Sequence, residues 1–237
     1  MTLTSSNPLI TKGVRQQVSF DEFKDEVIND YKLACISREV SLIGRKEVLT
    51  GKAKFGIFGD GKELPQIALA KVFENGDFRA GYYRDQTFAL ATGIVTVEQL
   101  FGQLYANPSS EEDPHSGGRQ MNNHFATRSL HADGSWKKLK YQKNTSADLS
   151  STAAQMPRSL GLALASKKYR ELQDKIGEND FSNKGNEVCF ATIGDASTSE
   201  GLFWEVINAA GVQQVPLVIS VWDDGYGISV PKKYQTT

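Results

Sequence analysis

Cys189-Phe-Ala-Thr-Ile-Gly-Asp-Ala-Ser-Thr-Ser-Glu-Gly-Leu-Phe-Trp-Glu-Val-Ile-Asn-Ala-Ala210, followed by Val215-Pro-Leu-Val-Ile-Ser-Val-Trp-Asp-Asp-Gly-Tyr-Gly-Ile-Ser229, decides the fold. Glu187 to Ile193 is a short apolar run rich in β-branched residues that halts at Gly194-Asp195. Leu202, Phe203, Val206, Ile207 and Ala210 then recur at helical spacing, so the pattern reads as strand, loop and helix. A second apolar run, Leu217 to Trp222, stops at Asp223-Asp224-Gly225. The two strands of such a βαβ unit are parallel, and both loops open at the carboxyl edge of the sheet, where open α/β sheets bind ligands. The expected fold class is α/β, an open, mostly parallel sheet with helices on both faces.

Asp195 and Asp224 stand twenty-nine residues apart, one helix plus one strand, which brings two oxygen-donating side chains to neighbouring strand ends. A magnesium ion takes octahedral oxygen ligands and keeps phosphate oxygens and water among them. The small residues Gly194, Ala196 and Ser197 allow backbone N–H groups to approach phosphate at the start of the helix. Each aspartate alone also fits a helix cap or a turn; the pair, with its order, spacing and flanks, carries the reading. Gly59-Asp60-Gly61 lacks any such partner twenty-nine residues on and is read as a turn.

These residues resemble the thiamine diphosphate enzymes, and among them the α-type, diphosphate-binding portion of the decarboxylating component of 2-oxo acid dehydrogenases. The family fingerprint is Gly-Asp-Gly, about thirty residues, then Asn-Asn-Gly-Tyr-Ala-Ile-Ser; here stand Gly194-Asp195-Ala196 and Asp223-Asp224-Gly225-Tyr226-Gly227-Ile228-Ser229. The resemblance implies thiamine diphosphate and Mg²⁺ as cofactors, with Asp195, Asp224 and the carbonyl of Tyr226 as metal ligands and Gly194, Asp195 and Ala196 at the diphosphate. Two departures stand out. Ala196 replaces a glycine, and Asp224 replaces an asparagine and adds a negative charge beside the diphosphate. Tyr83-Arg84 resembles a Tyr-Arg segment near the diphosphate, and guanidinium and phenol donors suit phosphate oxygens. Gly117-Gly-Arg-Gln-Met-Asn-Asn-His124 resembles the Gly-Arg-Gln-Met-Pro-Val-His segment of the branched-chain (2-oxoisovalerate) branch, with Asn122-Asn123 as a departure. Asp148 to Pro157 resembles Ser-Pro-Leu-Ala-Thr-Gln-Ile-Pro, which puts Ser150 where the family contacts the aminopyrimidine; Thr152 and Ala154 depart from it.

Composition bounds the rest. A chain of 237 residues, 39% hydrophobic, is long enough for a full core, and one large domain over 19–237 is expected after a loose polar arm at 1–18. The formal net charge is −1 with both signs mixed, so neither nucleic acid nor membrane is expected as a partner. With no run approaching a membrane span and no signal-peptide core, a cytoplasmic location is expected. Cys35 and Cys189 have neither metal-site nor disulfide spacing and are expected to be buried thiols. The histidines 115, 124 and 131 match no compact zinc pattern.

In chain order, Ser19-Phe-Asp-Glu22 gives a capping box and opens a helix to about Ile43, with Phe23, Val27, Tyr31 and Ala34 as the packed face. Lys62–Phe73 reads as a helix with Leu64, Ile67, Ala68 and Val72 apolar, and Val97–Asn107 as another. The polar stretch Pro108 to Ala147 is expected to be a poorly ordered functional loop. Leu160 to Ser166 is a small-residue helix.

The resemblance implies oxidative decarboxylation of a 2-oxo acid, branched-chain or pyruvate, within a 2-oxo acid dehydrogenase complex. Implied partners are a pyrimidine-binding β-type subunit or domain and the acyltransferase core, in a homo- or hetero-oligomer. A transketolase-like two-carbon transferase shares the metal motif, but Gly118 to Met121 and Ser150 to Pro157 speak against it. A non-catalytic assembly module retaining the fold is the third reading, motivated by Asp224 and Trp222. Family members continue past Ser229 with further strands and a histidine-bearing loop, so the chain is expected to be C-terminally incomplete, no catalytic residue is assigned, and the 237 residues alone are expected to be inactive.

Overall fold

The computed structural model describes residues 19–235; the arm expected at 1–18 lies outside them. The helices are α1 (Phe20–Leu49), α2 (Glu63–Ala70), α3 (Gln86–Ala91), α4 (Val97–Leu104), α5 (Gln155–Glu171), α6 (Gln173–Ile176) and α7 (Gly201–Gln213). The strands are β1 (Phe78–Ala80), β2 (Asn144–Thr145), β3 (Cys189–Gly194), β4 (Leu217–Trp222), β5 (Tyr226–Gly227) and β6 (Val230–Pro231). Four of them form one parallel sheet in the order β2-β1-β3-β4. After β1 the chain moves outward to β2, then crosses back over β1 to reach β3. The order therefore reverses between β1 and β3, and such a switch point opens a crevice at the strands' carboxyl ends.

Both faces of the sheet are covered, as expected. Along β3 the side chains alternate: Ala191 and Ile193 pack with Met156 of α5 and with Phe203 and Val206 of α7, whereas Phe190 packs on the other face with Ala70, Phe73 and Phe88. Period-two alternation lets one strand serve two cores. The βαβ unit forms as read, with β3 and β4 in register from Cys189–Leu217 to Gly194–Trp222.

Several expectations are corrected. The Ser19/Glu22 capping box forms, but α1 runs on to Leu49, and Phe23, Val27 and Tyr31 are exposed. The packed stripe is Ser37, Val40, Ser41 and Gly44, one turn apart. Its hydroxyls meet Thr87 and Gln86 of α3 (Ser37 Oγ to Thr87 Oγ1, 2.7 Å; Gln86 Nε2 to Ser41 Oγ, 3.0 Å). At Gly44 an added Cβ would stand 2.3 Å from Phe58 Cε1. Close approach through small polar residues is invisible to apolar periodicity. Leu64 and Val72 are also exposed, and the buried residues of α2 are Glu63, Gln66, Ile67 and Ala70. α4 stops at Leu104. Cys35 is exposed rather than buried; Cys189 is buried.

The stretch 108–147 is packed rather than loose. Asp113, Ser116, Asn122, Asn123, His124 and Phe125 are all buried, held by side-chain bonds in place of regular structure. Asp113 caps the turn, accepting from Ser116 N (3.1 Å) and Gly118 N (2.9 Å). The departure Asn122-Asn123 is explained by the segment before α2. Asn122 accepts from Ile57 N (2.9 Å) and donates to Ile57 O (2.7 Å), and Asn123 donates to the same carbonyl (2.8 Å).

Candidate functional site

A cleft of about 440 Å³ lies at the carboxyl ends of the sheet strands, within the range of small-molecule sites. Each loop that follows a strand contributes to it. Tyr82, Tyr83 and Arg84 come from the turn after β1, Ser150 from the segment after β2, Gly194, Asp195 and Ala196 from the end of β3, and Tyr226 from the turn after β4. Seven of the eight residues expected at cofactor or metal from sequence thus share this cleft, and only Asp224 does not line it. Asp224 instead bonds Arg84, Nη1 to Oδ2 at 2.5 Å, and accepts weakly from Tyr226 N at 3.3 Å.

Asp195 is 4% exposed. It precedes a 3₁₀ turn, Ala196–Ser199, yet its side chain caps nothing, and its Oδ2 has no hydrogen-bond partner. A buried carboxylate oxygen without a partner is costly, so the helix-cap explanation of Asp195 fails. Asp223 does act as a turn residue, accepting from Gly225 N at 2.9 Å, and it pairs with Lys232; Gly225 takes the left-handed φ of +80° that this turn requires. Gly59-Asp60-Gly61 is a turn, as read. Its Gly59 packs under the site, because an added Cβ would stand 2.4 Å from the carbonyl oxygen of Arg84.

The Ala196 departure has a local counterpart. The family pattern carries glycine at that position and alanine at the position of Gly227; here the methyl is on the other side. A Cβ added at Gly227 would lie 2.5 Å from the Cβ of Ala196. The Gln235 amide lies equally close to such a Cβ, at 2.4 and 2.5 Å, so the space at Gly227 is filled by the Ala196 methyl and the Gln235 side chain together.

Beneath the cleft runs a buried polar network that the sequence reading missed. Arg79 of β1 is 0% exposed. Its Nε donates to Asp85 Oδ2 (2.6 Å), Nη1 to Thr145 Oγ1 (2.8 Å) and Asp148 Oδ1 (3.0 Å), and Nη2 to Asp148 Oδ2 (3.0 Å) and Tyr82 O (3.1 Å). Asp85 also accepts from Thr192 Oγ1 (2.5 Å) and Trp222 Nε1 (2.7 Å). One side chain from each strand, Thr145, Arg79, Thr192 and Trp222, is therefore tied into a belt across the sheet. The departure Trp222 is part of that belt. Asp148 in turn accepts from Phe125 N at 2.9 Å, so the loops carrying Tyr83, His124 and Ser150 hang from the same two carboxylates. Burial pulls the Arg79 guanidinium down, but Asp148 and Asp85 outweigh it and hold the group firmly charged.

His124 and Tyr82 are further cleft residues to which sequence reasoning gave no role. His124 Nδ1 lies 3.1 Å from the carbonyl of Asn122 and donates to it, so that in the neutral ring Nε2 accepts from Ser150 Oγ at 3.1 Å. Ser150 thereby presents lone pairs to the cleft. The Tyr82 hydroxyl is buried and unpartnered, and burial, with Asp85 next, pushes it well above the usual phenol range. A glycine followed by Tyr-Tyr-Arg-Asp was the only available signal for it. For Arg84, burial lowers the pKa while Tyr83, Tyr82 and Asp224 raise it, and the balance lies above its ordinary value. Among the described residues no group of three or more His, Cys, Asp or Glu side chains converges as a protein-only metal site would require, and no helix is long and apolar enough to cross a membrane.

Comparison with known proteins places the chain in a family. The chain is 29% identical over 212 residues to the 2-oxoisovalerate dehydrogenase subunit alpha of Bacillus subtilis (strain 168), which covers 87% of this chain and 53% of that protein. It is 24% identical over 212 residues to the mitochondrial 2-oxoisovalerate dehydrogenase subunit alpha of Homo sapiens (90% of this chain, 40% of that protein). Against the mitochondrial pyruvate dehydrogenase E1 component subunit alpha of Dictyostelium discoideum it is 24% identical over 176 residues (74% and 38%). The chain thus spans about half the length of these relatives, or less. Residues 31–237 match the dehydrogenase E1 component family, to which the chain belongs.

Proposed function

We propose that this chain is the diphosphate-binding, α-type portion of a thiamine diphosphate- and Mg²⁺-dependent enzyme that oxidatively decarboxylates a 2-oxo acid, branched-chain or pyruvate, within a 2-oxo acid dehydrogenase complex. The observation that carries the reading is Asp195, a nearly fully buried carboxylate with one oxygen unpartnered, in a cleft at the carboxyl end of a parallel sheet. An octahedral Mg²⁺ that retains phosphate oxygens and water needs few protein ligands, so the lack of a protein-only cluster is compatible with it. Asp195, Asp224 and the Tyr226 carbonyl are the proposed ligands.

The remaining roles follow from the chemistry of each group. Gly194 and Ala196 leave backbone N–H groups accessible to phosphate at the loop before α7. Tyr83 and Arg84 offer a hydroxyl and a guanidinium for the outer phosphate oxygens. Ser150, polarised by His124, accepts a hydrogen bond from an amino group such as that of an aminopyrimidine. When bound, thiamine diphosphate would supply the electron sink that makes loss of CO₂ from a 2-oxo acid possible. This chain's part is to anchor and orient that cofactor and to exclude water from its charged end. The relatives named as alpha subunits support a β-type partner contributing the rest of the site.

The test is calorimetric titration of the full-length protein with thiamine diphosphate in Mg²⁺, together with decarboxylation of 2-oxoisovalerate and pyruvate using an artificial electron acceptor. Asp195→Ala is expected to reduce cofactor affinity by at least tenfold and activity with it. Unchanged affinity in Asp195→Ala would remove the metal-site reading.

A further inference from the structure

We propose that Asp224 makes phosphate binding in the cleft conditional on a divalent cation, because it holds the Arg84 guanidinium until a cation draws the carboxylate away. The inference rests on the functional reading above and extends it to the order of events at this one site. Arg84 is the guanidinium that lines the cleft, yet its Nη1 is engaged by Asp224 Oδ2 at 2.5 Å, with the two side chains only 19% and 30% exposed. Its Nε is buried and has no partner. Arg84 is therefore committed on one side and unsatisfied on the other, which is the state of a donor waiting for a second acceptor.

The charges around it explain why a phosphate alone does not displace Asp224. Asp195, Asp223 and Asp224 bring three negative charges to the loops after β3 and β4, and the ion pairs present there are Arg84–Asp224 and Lys232–Asp223. An incoming diphosphate would add negative charge to a site already short of positive charge, in a part-sheltered place where screening is weak. A divalent cation reverses this balance. Asp224, which follows β4 and among the described residues is otherwise bonded only to Tyr226 N at 3.3 Å, turns to the cation, and Arg84 is released to the phosphate. An uncharged amide in place of Asp224 could still offer an oxygen to the cation but would not hold Arg84 in the same way, because a charge-assisted bond is roughly twice as strong as a neutral one.

The test is calorimetric titration of the full-length protein with inorganic pyrophosphate, in EDTA and in excess Mg²⁺, for wild type, Asp224→Asn, Asp224→Ala, and Asp224→Asn combined with Arg84→Met. Metal-free affinity is expected to rise about tenfold or more in both single variants, so that the Mg²⁺-induced gain shrinks by that factor, and to fall back when Arg84→Met is added. The inference is overturned if metal-free affinity in Asp224→Asn and Asp224→Ala equals that of wild type, or if the gain survives Arg84→Met. Wild type that binds Mg²⁺-thiamine diphosphate while the variants gain nothing would sink this inference alone. Absence of any phosphate binding by wild type, with or without Mg²⁺, would sink the functional reading and the inference together.

Discussion

Replacing Arg79 by Met should cost more stability than any other single change of similar size in this domain. All five N–H donors of the guanidinium are used, four of the five bonds going to side chains, and three of the acceptor oxygens belong to Asp85 and Asp148. Arg79 and both carboxylates are 0% exposed as side chains. Removal of the cation leaves two like charges buried together, and breaking a buried pair in this way costs about 3–5 kcal/mol. Against a typical domain stability of about 5–15 kcal/mol, that is roughly a fifth of the total or more. For a chain of this length about 2–4 °C is lost per kcal/mol, so the melting temperature should fall by roughly 6–20 °C. Equilibrium denaturation in urea is the primary assay. The pH dependence supplies a second check. Burial already holds the Asp148 carboxyl above its ordinary range against the pull of Arg79; in the variant that pull is gone, so its folded pKa lies above the unfolded value of about 3.9. The folded protein then holds the extra proton, and the penalty is absent below that value and grows as pH rises through the raised folded pKa. A loss below 1 kcal/mol at pH 7, or a loss equally large at pH 4 and pH 7, would refute the view that Arg79 neutralises the belt.

Two further outcomes follow from the site and its loop. Gly227→Ala should destabilise by about 1–3 kcal/mol through overpacking, since its new Cβ would sit 2.5 Å from that of Ala196 and 2.4 Å from Gln235 Nε2; Ala196→Gly in the same chain should recover part of this, and simple additivity in the double-mutant cycle would contradict contact between the two loops. Burial lowers the pKa of His115 below 6.5, so the unfolded state binds the proton first and the stability due to this neutral ring is present above about 6.5 and lost as pH falls through the depressed folded value. His115→Asn, whose amide can meet the Ala126 backbone that Nδ1 contacts (3.0 Å to O, 3.2 Å to N), should flatten stability between pH 7 and pH 5, and parallel pH profiles for the two proteins would count against it.

The sequence alone determined the βαβ unit, its parallel direction and the edge at which the cleft opens. Strand and helix periods are local properties of a few residues, and a strand's end places the next residue in a loop whatever surrounds it. Tyr83, Arg84 and Ser150 were marked only by resemblance to a known family; they join Gly194, Asp195, Ala196 and Tyr226 in one cleft because four parallel strands deliver their following loops to the same side. Tertiary structure decided the partners. Whether Phe23 or Ser37 of α1 faces the core depends on what α3 offers, and hydroxyls that meet Thr87 and Gln86 carry no apolar signal. Asp85 and Asp148 stand among polar loop residues that read as solvent-exposed, and only the fold turns them inward onto Arg79 from positions six and sixty-nine residues away. Asp224 is the plainest case: the spacing that relates it to Asp195 says nothing about Arg84, and the opposite charges stand 2.5 Å apart because the fold brings the turns after β1 and β4 together.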